Sequence, residues 1–201
     1  CVVCIAGKSS LAGAPVCGDC LKGHYRGVND GDICLPCVAS TYANESASSS
    51  CMTCEIGSSS EEGSSKCTKC DAGKAGAGCS KCLKGKFRSA SDDQAAVCHQ
   101  CAAGFYQDQE TQASCLPCIP GTFNDELGKG GCKLCDAKSY TNITEQLSCK
   151  SCPSGKSSIQ GSASCVSCAA GTAGPSCDEC FEGTYRSGTD KQAAICRDCP
   201  A

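Results

Sequence analysis

Cysteine spacing constrains this chain more than any other feature. All 26 cysteines fall in CxxC pairs, which start at Cys1, Cys17, Cys34, Cys51, Cys67, Cys79, Cys98, Cys115, Cys132, Cys149, Cys165, Cys177 and Cys196. The steps between starts are 16, 17, 17, 16, 12, 19 and then 17, 17, 17, 16, 12, 19, so one six-step pattern runs through twice. CSKCLKGKFRSASDDQAAVCHQC at 79–101 returns as CDECFEGTYRSGTDKQAAICRDC at 177–199, 98 positions later. Self-similarity at a fixed period marks a tandem array. The pattern predicts a super-repeat over 1–97, a second over 98–195 and the opening of a third over 196–201, in a chain cut from a longer one.

The cysteines must do what a core would otherwise do. Leu, Ile, Val and Phe supply 26 of 201 residues and Trp none. That is below the ~20% under which chains fail to bury enough apolar surface to fold. Small secreted modules solve this with disulfides. The formal net charge is −3, and read as interspersed it suggests neither a nucleic-acid nor a lipid partner. No apolar run approaches the ~20 residues of a spanning helix.

The second cysteine of most pairs opens a smaller pattern, C-x-x-G-x-[aromatic], as in CLKGHY at 20, CLKGKF at 82, CAAGFY at 101, CIPGTF at 118 and CFEGTY at 180. CVASTY at 37 and CDAKSY at 135 keep the ring and lose the glycine. Ser59, Ala75, Ser157 and Ala173 replace the ring at matching places in both super-repeats, whereas Ser9 stands against Tyr106. Gly permits the positive φ of a turn. The ring is then expected to lie over a neighbouring disulfide as a miniature core. A ligand-binding aromatic stripe is the alternative.

Spacing suggests that the second cysteine of each pair bonds the first of the next. This gives Cys4–Cys17, Cys20–Cys34, Cys37–Cys51, Cys54–Cys67, Cys70–Cys79 and Cys82–Cys98, then Cys101–Cys115, Cys118–Cys132, Cys135–Cys149, Cys152–Cys165, Cys168–Cys177 and Cys180–Cys196. Cys1 and Cys199 would pair outside the chain. An interleaved scheme, such as Cys1–Cys17 with Cys4–Cys20, remains open. Zinc ribbons and redox dithiols also use CxxC. Neither suits thirteen pairs in a chain with two histidines, and no metal or other cofactor is expected.

Two N-x-[ST] sequons, at Asn44 and Asn142, occupy the same place in the same module, 98 residues apart. With the cysteines they point to an oxidising, extracellular setting, with N-glycans on loops. Duplication alone also accounts for the second sequon. Serine-rich strings at 46–51 and 57–67 read as loops, or as O-glycan carriers. NDGD at 29–32 lacks the spaced ligands and terminal Glu of a calcium loop.

The modules, C-x-x-C-x-x-G-x-[FY] followed by C-x-x-C, resemble ephrin-receptor-like cysteine-rich repeats, a pattern shared with growth-factor-receptor and tumour-necrosis-factor-receptor modules. CAAGTAGPSCDECFEGTYRSGTDKQAAIC at 168–196 is similar to the latter half of a laminin-type EGF module. That resemblance implies neighbour-to-neighbour pairing at Cys168, Cys177, Cys180 and Cys196. Long arrays of this kind also resemble cysteine-periodic surface and flagellar-hair proteins of protists.

The expected fold is a tandem of small disulfide-rich modules. Each has little regular structure beyond turns and short β-ribbons, and they stack into an extended rod. Catalysis is not expected: His24 and His99 sit in different modules and show no partner arrangement. The expected role is structural and extracellular, a stalk, coat or filament whose partner is its own kind. A receptor or adhesin that binds protein or glycan is the alternative, with Tyr25-Arg26, Phe87-Arg88 and Tyr185-Arg186 as candidate exposed anchors. A variable surface antigen is a third reading.

Overall fold

The computed structural model describes residues 3–11, 14–31, 33–92, 96–174, 176–190 and 195–200. Two compact units divide the chain: Cys1–Leu83, Phe87–His99 and Glu110–Ser114 form one, and Lys84–Lys86, Gln100–Gln109 and Cys115–Ala201 the other.

Both units repeat one device. The chain leaves a buried cysteine, turns, makes a two-residue strand, loops out, and returns along the two residues inside the next CxxC. In the first unit His24–Tyr25 pairs antiparallel with Leu35–Pro36, and Thr41–Tyr42 with Met52–Thr53. In the second, Phe105–Tyr106 pairs with Leu116–Pro117, and Thr122–Phe123 with Lys133–Leu134. Among the described residues there is no helix, and every strand is two residues long. A lone two-stranded ribbon is marginal in water, so the ends need staples.

Twelve disulfides supply them, each joining the second cysteine of one CxxC to the first of the next, from Cys4–Cys17 through Cys180–Cys196, six in each unit. The bridged cysteines are 9 to 16 positions apart, and the Cys70–Cys79 and Cys168–Cys177 loops are the short ones. Closing a loop of that size is worth ~3 kcal/mol in the chain-entropy account. Cys199 is an exposed free thiol, and Cys1 lies outside the described residues.

The core differs from the expected ring-over-disulfide plug. The rings of Tyr25, Tyr42, Phe87, Tyr106, Phe123 and Tyr140 are half-buried, and Tyr185 is exposed. The buried groups are the second cysteines, several of them fully (Cys20, Cys37, Cys82, Cys101, Cys118 and Cys135), and the residue after the ring position. A two-residue ribbon is too small to cover a ring. It covers a cystine and one side chain pointing back toward the preceding module.

Candidate functional site

The residue after the ring position, six past each buried cysteine, joins one module to the one before it. A polar side chain usually stands there, and it donates to backbone carbonyls that a core this small would strand. Ser60 Oγ donates to the Thr41 carbonyl at 2.7 Å, and its counterpart Ser158 to that of Ser139 at 2.7 Å. Asn124 Nδ2 donates to the Phe105 carbonyl at 2.7 Å. Thr141 Oγ1 accepts from the Gly121 N–H at 2.8 Å.

Arginine does most at this position. One nitrogen of Arg88, Nη1, donates to the carbonyls of Cys70, Asp71 and Lys74, each at 3.0 Å. Arg186 does the same to Cys168, Ala169 and Thr172 at 2.9, 2.8 and 2.7 Å, and Arg26 to Cys4, Ile5 and Lys8. All three guanidinium groups are buried. The exposed anchors that the receptor alternative needs at Tyr25-Arg26, Phe87-Arg88 and Tyr185-Arg186 are not supplied by the arginines, and of the three rings only Tyr185 is exposed. The arginines face inward, and the two N–H groups of one Nη1 are shared among three carbonyls of one turn.

Elsewhere the carbonyl of the buried cysteine is met by a backbone N–H of the following module: Ala47 to Cys20, Gly63 to Cys37, Thr111 to Cys82, Gly128 to Cys101, Glu145 to Cys118 and Gly161 to Cys135. Each of these donors has positive φ. Its own carbonyl then roofs the turn glycine two modules earlier. A Cβ on Gly23 would collide with Gly63, on Gly85 with Gly128, on Gly121 with Gly161, and on Gly104 it would lie 2.6 Å from the Glu145 oxygen.

This explains where the motif loses its glycine. Ser40 and Lys138 hold the turn at φ 64° and 67°. The module two steps on from each is the short one, closed by Cys70–Cys79 or Cys168–Cys177. There a side chain is accommodated, and Gly78 of the short loop comes up to it: a Cβ on Gly78 would lie 3.2 Å from Ser40 Oγ. Sequence reasoning missed both devices. The matching signals were Arg recurring after the ring and the glycine lost at two equivalent places.

The remaining candidates lie as follows. Asn44 and Asn142 are both exposed. His99 Nε2 meets Asp92 at 2.6 Å and its ring tilts against Phe87 at 6.0 Å, while the Nδ1 of His24 is buried without a partner. Asp30, in the NDGD string, accepts from its own loop at Gly27 at 2.9 Å, and Asp32 lies outside the described residues. Hollows open where the ring is missing: one of about 480 Å³ beside Ser9, with Leu11, Val16 and Ile33 on its walls, and one of about 280 Å³ beside Ser59, with Thr68, Lys69 and Lys74. No helix among the described residues is long and apolar enough to cross a membrane.

The charge of the chain is not evenly spread. Residues 66–88 hold seven cations against Asp71, a net of +6, whereas the equivalent 164–186 hold Asp178, Glu179 and Glu182 against Arg186, a net of −2.

Residues 89–130 match the family model described as tyrosine-protein kinase ephrin type A/B receptor-like, which is not an enzyme family. No curated protein matches the chain. With its serial disulfides and repeated joints, the chain is a cysteine-rich tandem-repeat protein.

Proposed function

We propose that the chain is an extracellular structural element, a stalk, coat or filament segment built from two super-repeats over 1–97 and 98–195, with a third opening at 196. The observation that carries the reading is the serial joint. A module bonds the one before it through a buried side chain or backbone N–H, and roofs the one before that. Linear arrays of nearest-neighbour contacts favour length over a single core. The disulfides suit an oxidising compartment, and the exposed Asn44 and Asn142 are proposed N-glycan sites. The buried arginines weigh against a receptor built on aromatic–Arg anchors. Nothing in this reading calls for catalysis, a cofactor, a metal or nucleic acid.

Small-angle scattering of the oxidised chain tests it. A compact chain of this length would have a radius of gyration of about 16–17 Å. A stalk requires a value well above that, and a value near it would sink the proposal. Mass increments at Asn44 and Asn142, removed by an N-glycosidase, test the glycans.

A further inference from the structure

A purely structural duplication keeps its geometry and has no reason to invert its charge at one place. Lys81-Cys-Leu83-Lys84 in one super-repeat is Glu179-Cys-Phe181-Glu182 in the other. The apolar position is exposed in both, Leu83 at 59% and Phe181 at 86%. Lys81 lies directly across its ribbon from Lys74, a like-charge pairing that works against the ribbon. Asp71 meets Lys74 at 3.1 Å and offsets part of this. The matching ribbon of the second unit sets Glu179 against Thr172. An exposed apolar anchor set between residues of one charge in the chain, against an equivalent anchor set between residues of the other, has the anatomy of two halves of an interface.

We propose that Phe181, flanked by Glu179 and Glu182, docks on Leu83, flanked by Lys74 and Lys81, of a second copy of this chain. The contact is heterologous: the two surfaces differ, so a joined pair keeps one of each kind unused. Such a contact propagates head to tail, or closes only if the rotation allows. The charges steer and select, and the apolar anchors supply the buried area. A sulfated glycan would explain the cations. It would not explain carboxylates at the equivalent positions, or the exposed phenylalanine between them. This inference deepens the filament part of the proposed function and rests on it.

The test is a charge exchange in the oxidised chain, using each unit's own residues as replacements. The first variant, Lys74→Thr with Lys81→Glu and Lys84→Glu, gives Leu83 the acidic flanks of Phe181. The second, Thr172→Lys with Glu179→Lys and Glu182→Lys, makes both patches basic. Sedimentation velocity in 50 mM and 500 mM salt reads association. The unaltered chain should associate in low salt and weaken in high salt, where the Debye length falls well below 10 Å. Each variant alone should associate at least about tenfold more weakly. An equimolar mixture of the two should recover association, and Phe181→Ser should lose it without any change of charge.

The inference is overturned if the unaltered chain stays monomeric, or if the two variants each associate as well as it does. It is also overturned if a sulfated heparin oligosaccharide binds through Lys74 and Lys81 while the chain remains monomeric. Scattering of the monomeric variants separates the two ideas. An elongated monomer that never associates keeps the stalk and removes this contact, and a compact one removes the stalk.

Discussion

Two joints in the first unit, one step apart, are built in opposite ways. Where the Cys82 module meets the Cys70 module, buried Arg88 fastens three carbonyls. Where the Cys70 module meets the Cys54 module, the same position is Gly76, which has no side chain to offer. That joint keeps its disulfide and the backbone bonds from Gly57 to Gly76 at 3.1 Å and from Cys70 to Gly57 at 2.9 Å. The second unit repeats the contrast at Arg186 and Gly174. Disulfide spacing therefore does not make the modules equivalent. The strongest side-chain joint follows the weakest once in each super-repeat, and local opening should concentrate at the glycine joint.

Removing the arginine is the largest way to break that contrast. Arg88→Leu keeps the bulk and removes three hydrogen bonds, of which only that to Asp71 leaves a carbonyl with a backbone donor, the Lys74 N–H, so it should cost about 2–3 kcal/mol. Native-state hydrogen exchange should show the loss around residues 70–81. Gly76→Asn introduces a side chain at φ 78°, where the nearest atom to a Cβ is the Ala96 oxygen at 3.6 Å. Asn tolerates that conformation, and the change should stay within about 1 kcal/mol. Equal effects of the two substitutions would mean that the joints are held by their disulfides alone.

The roofed turns give the next effect. Gly85→Ala combines a left-handed turn at φ 76° with a collision against the Gly128 carbonyl. It should destabilise its unit by about 2–3 kcal/mol, the scale of an overpacked contact plus the conformational strain. Lys138→Gly changes the same motif position where a side chain already stands at φ 67°, and should be neutral or stabilising by up to about 1 kcal/mol. Thermal melts followed by circular dichroism would rank the two. The opposite ranking would remove the roof as the reason that the motif keeps glycine.

Smaller again is the hydroxyl joint. Ser60→Ala and Ser158→Ala each delete one hydrogen bond to a carbonyl of the preceding module, at 2.7 Å in both units. Each should cost about 1 kcal/mol. Matched losses would show that the two units use the joint alike, and a loss confined to one unit would break their equivalence.

Much of this architecture was legible in the spacing. Two rounds of six CxxC pairs and the start of a third, in a chain with few large apolar residues, leave room for turns and short ribbons, and the described residues form just those. The joints were not legible. On a strand, the residue after a core ring would face solvent, whereas Arg88 beside Phe87 is buried. The ribbon ends after the ring, the next residue turns back, and the alternation no longer applies. Glycine read as freedom to turn. Its second role, leaving space for a carbonyl two modules away, depends on a contact that no local pattern encodes. The charge inversion at 66–88 was in plain view, and an overall charge of −3 concealed it.

The weakest expected effect separates a buried cation from an exposed one. Lys133 in the second unit meets Asp125 at 2.7 Å and Glu126 at 3.0 Å, and lies 5.8 Å over the Phe123 ring. The equivalent residues of the first unit, Leu35, Gly27 and Val28, carry no charge. The hydrogen bond from Lys133 holds Asp125 below its ordinary value, bonds from Lys129 and then Lys133 do so for Glu126, and the two carboxylates together raise Lys133. Lowered carboxylates stabilise the fold at neutral pH, and that contribution fades as the pH falls through their lowered values. The raised lysine contributes until the pH climbs through its elevated value. All three groups are exposed, so salt screens the cluster and its share of stability is small. Lys133→Ala should return the Asp125 titration toward its ordinary value in a carboxyl NMR titration while leaving hydrogen exchange at the Cys118–Cys135 joint unchanged. Loss of protection at that joint would show that surface ion pairs, and not only the inward-facing side chains, hold the modules together.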